Sequence, residues 1–336
     1  MVAISRKGKV TLLVIVLLVV FTLPLAAVIF SSKYPSNQPG EGTIDPASAI
    51  HINSRGDIIV PLFSSSDYKI EHQGNTYILT GNVLDWLIIE ESNIVLDGRG
   101  FTLGSQDGLS LSSVDNVTVK DLNVNAHYLH LVLQNAQRCT LLRTNSSYNI
   151  APSDSNNNLI DDCSGSIKLE RSSNNTIKNC ATGPIELNKS DGNSILNNTC
   201  IYPGRGLSLA DSSNNLLLGN RFSEMAWWIN IYGNSHLNTI VGNEISMKPR
   251  YYADSLTGDN YIYHNNFLNF AWNQSQTTPV NVWSSKMKGN YWADYYGTDT
   301  NHDGVGDTPY IIDKTNKDNY PLMSPVNITN EPIPTL

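Results

Sequence analysis

From about Ser92 to Phe267 one short phrase, polar at its edges and alternating inside, returns nine times: SNIVLDG, DNVTVKDL, QRCTLLRT, NNLIDDC, NNTIKNC, GNSILNN, NNLLLGN, LNTIVGN and DNYIYHNN. An apolar marker holds the same place in each, at Leu96, Val119, Leu141, Ile160, Ile177, Ile195, Leu217, Ile240 and Ile262, with steps of 23, 22, 19, 17, 18, 22, 23 and 22 residues. Alternation inside a phrase is the period of a strand. A repeat near twenty residues with turn residues between is the signature of a solenoid, and helical repeats need longer units. A second apolar pair stands ten or eleven residues before the next marker, at Leu109 and Leu111, Leu131 and Leu133, Ile150 and Pro152, Ile167 and Leu169, Ile185 and Leu187, Leu207 and Leu209, and Ile229 and Ile231. The spacing predicts two inward-facing strand segments per turn, each turn lying directly on the one before.

Asparagine follows the same register. Two residues before the marker stand Asn158, Asn175, Asn193, Asn215, Asn238 and Asn260, where the earlier repeats have Ile94, Val117 and Cys139. Three residues after it stand Asn198, Asn220, Asn243 and Asn265. In coils stacked about 4.8 Å apart, identical amides reach one another and the turn backbone, so a structural amide ladder is expected; the plainer alternative is a turn former. Cys163 and Cys180 share one position in adjacent coils just before it becomes the second Asn column, which predicts stacked buried thiols, with a disulfide as the alternative. One residue past the marker, facing outward, stand Leu196, Leu218, Val241 and Tyr263. An apolar line of that length predicts a cover, either the segment after Phe267 folded back or a protein partner.

The flanks divide the chain into a basic segment 1–9, an apolar run 10–30, a linker 31–47, an N-terminal cap 48–91, the repeats 92–267, an aromatic C-terminal cap with an Asp-rich loop 268–325, and a tail 326–336. Arg6, Lys7 and Lys9 precede the apolar run from Val10 to Phe30, which is long enough to span a bilayer as a single transmembrane helix with its basic flank inside. A signal peptide cleaved near Ala26 and Ala27 is the alternative. Either way the bulk of the chain is expected outside the cell. Twelve aromatic residues between Tyr251 and Tyr296 are expected to plug the end of the solenoid, with sugar stacking as the second reading.

Composition sharpens this. Charged residues are 15% of 336 and the net charge is −8, without the basic stripe that nucleic acid requires, so no nucleic-acid partner is expected. Sequons mark Asn116, Asn145, Asn188, Asn273 and Asn327 as candidate glycan attachment sites. Two more begin at Asn174 and Asn197, and the Asn197 one is expected to point into the coil and go unused. Oxygen ligands at alternate positions, Asp299, Asn301, Asp303, the Val305 carbonyl and Asp307, predict a calcium loop, with Asp313 as an outside ligand and an unmetallated Asp/Gly turn as the alternative. Candidates for a hydrolytic carboxylate pair are Asp161 and Asp162, Glu170, and Glu186, the last more simply paired with Lys168 across the coil surface.

The phrases NNTIKNC, NNLLLGN and LNTIVGN, the opening NTYILTGN and NIVLDGRGFTLGS, and the closing GNYWADYYGTDTNHDGVGDTPYIID resemble the NosD-type parallel β-helix proteins, many of them archaeal surface proteins. The resemblance covers roughly residues 48 to 325. It implies an all-β fold, a right-handed parallel β-helix of about nine coils capped at both ends, here with one N-terminal transmembrane helix. It also carries a copper-related role in nitrous oxide reductase maturation, and copper favours His, Met and Cys. His127 and His130 share a coil, but three residues apart on a strand they face opposite sides, and His51, His72, His236, His264 and His302 are scattered, so copper is not expected. The function expected is a membrane-anchored extracellular module, non-catalytic, binding glycan or a surface protein. The alternatives are a polysaccharide lyase or glycoside hydrolase of the β-helix type, and a copper-related accessory protein.

Overall fold

The computed structural model describes residues 49–61, 69–104, 108–126, 130–201, 205–225, 227–247, 256–269 and 277–328. The apolar run 10–30, the linker 31–47, His127 and Asn273 lie outside them. The described residues contain no helix: 27 strands wind into one sheet, and a two-stranded hairpin, Tyr310–Ile311 with Lys317–Asp318, stands beside it. Each marker pairs with the next in parallel, Leu96 with Val119 and onward through Leu141, Ile160, Ile177, Ile195, Leu217 and Ile240 to Ile262, and every one of these side chains is fully buried. Nine phrases enclose eight steps, and the solenoid has about eight turns. Counting phrases instead of the steps between them suggests nine.

Each turn also has three sides and not two. The second apolar pairs stack as Leu87, Leu109, Leu131, Ile150, Ile167, Ile185 and Leu207. A third face is built from short strands, among them Ala181–Thr182, Thr199–Ile201, Arg221–Met225, Glu244–Met247 and Asn266–Leu268. Its inward positions supply one large side chain per turn, Phe222, Ile245 and Phe267 in the later coils, too few to show alternation in the sequence.

Three sides need three bends, and each bend is one residue in the left-handed region. The first column includes Asn116, Asn157, Asn174 and Asn214, the second Asp121, Asp162, Asn179 and Asn197, and the third Asn135, Asp154 and Asp211, with φ from 46° to 59°. Asn and Asp enter this region more cheaply than other residues with a Cβ. The doubled asparagines are explained by it: the first of each pair makes the bend, and the second, Asn158, Asn175 or Asn215, turns its amide into the core. By the same rule Asn197 is exposed while Asn198 is buried, so the Asn197 sequon faces outward, contrary to expectation.

The inward amides form two continuous columns. In the first, the backbone N and Nδ2 of Asn158 both donate to Asn175 Oδ1, and the pair of bonds repeats through Asn193, Asn215, Asn238 and Asn260 to Asn281 at 2.8–3.2 Å. Asn281 N then donates to Asn316 Oδ1 (2.9 Å), and Asn316 Nδ2 reaches both carboxylate oxygens of Asp313 (3.2 Å). The second column runs Asn198, Asn220, Asn243, Asn265, Asn290 at 2.9–3.1 Å, and Asn290 N donates to Asp318 Oδ2 (2.6 Å). Each rung hands its backbone N–H and one Nδ2 hydrogen toward the C-terminus while most of the other Nδ2 hydrogens reach a carbonyl of the coil before, and at the end of each column the forward donors meet a carboxylate. Buried Asp318 also accepts from Trp292 Nε1 and Tyr320 N (both 3.0 Å), and burial still pushes it up to about 6. A third column is serine, with backbone N donating to the next Oγ through Ser155, Ser172, Ser190, Ser212 and Ser235 at 2.9–3.1 Å. Three of the cysteines occupy the Asn columns, Cys139 the first and Cys163 and Cys180 the second, with Cys139 N donating to Asn158 Oδ1 and Cys180 N to Asn198 Oδ1, while Cys200 is the inward residue of the third face and lies on Phe222. All four are free and buried, and burial pushes Cys200 up to about 11.

Stacking reaches back into the segment read as the N-terminal cap, where Tyr77 lies on Leu96, and Ile50 on Leu87. Antiparallel pairs, Ile50–Ile52 with Ile58–Ile59 and Ile70–Gln73 with Thr76–Leu79, occupy that end. At the other end Phe267, Trp292 and Tyr310 stack face to face with centroids 4.3 Å apart. Of the outward apolar line, Val241 and Tyr263 are buried and Leu196 and Leu218 half-buried; the returning chain reaches Tyr261 through Val282 and His264 through Gly289.

Candidate functional site

The outward side of the second bend, in the first turns, carries the charge. One residue past the marker stand Asp97, Lys120, Leu142, Asp161 and Lys178, register partners in that order, and they pair as Asp97 with Lys120 (2.9 Å) and Asp161 with Lys178 (3.2 Å). At the bend itself Arg143 clamps Asp121 with Nε and Nη2 at 2.6 and 3.0 Å. That contact holds the Asp121 carboxyl below the usual carboxylate range. Past the bend Asn123 donates to the Gly100 carbonyl (2.9 Å), Asn145 Nδ2 to Asn123 Oδ1 (3.1 Å), and Ser164 Oγ to Asn145 Oδ1 (2.9 Å).

These groups line an open cleft of about 530 Å³ formed by Asp97, Arg99, Gly100, Asp121, Asn123, Arg143 and Asn145. The DGRG turn makes room for it. A Cβ on Gly98 would lie 2.6 Å from the Asp121 carbonyl oxygen, so only glycine lets the first coil lie this close to the second. Arg99 then takes the bend at φ 48°, its backbone N donating to Asp97 Oδ1 (3.0 Å). Three residues past Asn145, Tyr148 is 62% exposed and stacks on buried His130 at 4.5 Å between centroids. The cleft draws on three coils about 22 residues apart, so no local motif announces it. Polar residues at two and four places past each of Val119 and Leu141 were the available signal.

The carboxylates considered for catalysis are elsewhere or engaged: Asp161 holds Lys178 and Asn179, Asp162 is exposed at its bend, and Glu170 pairs with Arg171 (2.8 Å). Lys168 and Glu186 are register partners, yet no ion pair between them is among those of the described residues. Among candidate attachment residues, Asn116 and Asn327 are exposed, Asn145 lies in the cleft, and Asn188 is half-buried with Nδ2 on Glu170 (2.7 Å).

In the Asp-rich loop the Asp299 carboxylate accepts from Asp303 N and Gly304 N (3.1 and 3.0 Å), and Asp303 Oδ1 from Val305 N (2.8 Å), with Asn301 Nδ2 on Asp303 Oδ2 (3.0 Å). Asp307 accepts from Thr298 and Thr300, which lowers its acid. Asp313, considered as an outside ligand, instead ends the first amide column and accepts from Thr278 and Thr315. Copper asks for convergent His, Cys or Met. Among the described residues no group of three or more His, Cys, Asp or Glu is placed to hold a metal, and the thiols of Cys163 and Cys180 donate to the Asp161 and Lys178 carbonyls (3.2 and 3.1 Å). The described residues therefore do not fit a copper centre.

Residues 88–297 match the family described as "Periplasmic copper-binding protein (NosD)". A stretch of 107 residues, 32% of this chain, is 29% identical to the "Probable ABC transporter binding protein NosD" of Pseudomonas aeruginosa and spans 20% of that protein's length. Similar solved structures include a tailspike protein double mutant of E. coli bacteriophage HK620, at 14% identity and TM-score 0.31 over 67% of this chain and 50% of that one. A mutant of the periplasmic alginate epimerase AlgG matches at 10% identity and TM-score 0.22 over 69% and 84%.

Proposed function

The chain belongs to the periplasmic copper-binding protein (NosD) family, and from that membership we propose an extracytoplasmic β-helix, held at the membrane by residues 10–30, that binds glycan in the cleft of the first turns. One observation carries this: a solvent-open cleft of about 530 Å³ whose seven lining residues bring amides, carboxylates and guanidinium groups together from three coils. Fixed amides and charges that fit hydroxyl groups are the elements a sugar site needs. A glycan array probed with the full chain tests it. Binding that vanishes in the Asn123→Ala, Asn145→Ala double variant is expected; binding indifferent to both substitutions sinks the assignment of the cleft.

A second reading, polysaccharide cleavage, is favoured by Asp97 and Asp121 sharing the cleft. Against it, Lys120 neutralises Asp97 and Arg143 holds Asp121 ionised, whereas glycoside hydrolysis requires one carboxyl that keeps its proton. Reducing ends or unsaturated products released from any polysaccharide would move the assignment to an enzyme. For the loop of Asp299, Asn301, Asp303, Val305 and Asp307 the proposal is calcium, on the spacing of its oxygens. Calcium at ten times its dissociation constant should stabilise the C-terminal region by about 1.4 kcal/mol, and a melting temperature that ignores both calcium and chelator removes the site.

A further inference from the structure

Charge around the cleft is unevenly satisfied. Lys120 is tied to Asp97 at 2.9 Å, and Arg143 grips Asp121 with two bonds. Arg99 differs. Its backbone N is engaged with Asp97 Oδ1, but among the described residues its guanidinium has neither an ion pair nor a hydrogen bond, although it is exposed and lines the cleft. Of the charged groups that line the cleft, Asp121 is held by Arg143 and Asp97 by the adjoining Lys120, and the Arg99 guanidinium is the one left without a partner among the described residues. The bend between Gly98 and Gly100 holds that residue at φ 48°, next to a glycine whose Cβ has no room, so its backbone position is determined by the stacking of the first two coils.

Resting on the glycan reading above, we propose that the ligand is an acidic saccharide and that a uronic acid carboxylate sits on the Arg99 guanidinium. A planar guanidinium presents two parallel N–H donors that match a carboxylate, a fit that an ammonium lacks. The neighbouring amides complete the recognition. Asn123 Nδ2 donates one hydrogen to Gly100 O and Asn145 Nδ2 one to Asn123 Oδ1, which leaves each a second N–H for a ring hydroxyl.

The test uses the full chain and two probes of equal length, an oligogalacturonate and its carboxyl-reduced counterpart, with dissociation constants from calorimetry. The wild type is expected to prefer the acidic oligomer by about tenfold or more, the Arg99→Ala variant to bind the acidic and the reduced oligomer equally, and Arg99→Lys to recover part of the preference. Since Arg99 is exposed, the melting temperature of Arg99→Ala serves as the folding control. Equal affinity of the wild type for both probes, or a preference that survives in Arg99→Ala, overturns the acidic-ligand inference and leaves glycan binding intact. If neither probe nor any glycan on the array binds, the glycan reading and this inference fall together.

Discussion

In the first turns the inward corner before the marker holds Ile94, Val117 and Cys139, and the outward side carries Asp97, Lys120, Asp121 and Arg143. In the last turns the same corner holds Asn215, Asn238 and Asn260, and the outward positions are Leu218, Val241 and Tyr263. Polarity is reversed between the two ends of one solenoid. An apolar corner makes no demand on the coil that follows, since each side chain is satisfied by contact alone. An amide corner does make one, because each Asn offers donors that the following coil must accept. The first column begins at the Cys139 N–H, and the two columns end where the following chain supplies the carboxylates of Asp313 and Asp318. The C-terminal half is therefore committed to its end structure, and the N-terminal half keeps its outer surface available for a ligand.

The sharpest way to break this contrast is to compare equivalent corners. Asn215→Leu removes the acceptor of both the Asn193 N–H and its Nδ2 inside a dry core, and about 2–4 kcal/mol should be lost. Ile94→Val, in the apolar corner, should lose about 0.5–1.5 kcal/mol. Denaturant unfolding that finds equal losses would show that the amide column confers no special dependence.

Next in size is the terminus. The Asp318 acid stands at about 6 in the fold, above its ordinary value of 3.8. A raised acid contributes stability that is fully present below about pH 4 and disappears as pH rises through 6, here at most about 3 kcal/mol. Melting curves from pH 4 to 7 should show this decline in the wild type, superimposed on the opposite trend of paired carboxylates such as Asp154. In Asp318→Asn the decline should be missing, and an identical pH profile in both proteins would refute the assignment.

A smaller effect, of opposite sign, is expected at Leu237, which occupies the first bend at φ 55° where other coils place Asn. Leu237→Asn should stabilise by about 0.5–1 kcal/mol, since Asn carries the left-handed conformation at lower strain. No gain would mean that Leu237 is held by packing. Smallest of all should be Arg143→Gln, whose ion pair with Asp121 is exposed: melting is expected to be unchanged while glycan affinity falls. A large loss of stability would place Arg143 in the scaffold and out of the ligand site.

The marker residues, the second apolar pairs and the Asn columns were all legible because they recur at one offset in successive repeats, and recurrence is what a stacked coil writes into a sequence. The third face was not, since one inward residue per turn shows no alternation, although Cys200, Phe222, Ile245 and Phe267 each stand five residues past a marker. The columns' continuation through Asn281 and Asn316, and through Asn290 to Asp318, fell outside the repeat phrase and so had no register to be counted in. The cleft was hidden for another reason. Asp97, Arg99, Asp121 and Arg143 are ordinary surface charges until stacking sets them side by side.

What the sequence alone determined about this protein is its winding: a strand period inside a twenty-residue repeat permits little else, and buried amides are tolerable only in register. What tertiary structure decided is which charges meet. Ion pairing depends on distances of a few ångströms between residues some 22 positions apart, and no pattern along the chain encodes that Arg143 is engaged while the Arg99 guanidinium has no partner among the described residues.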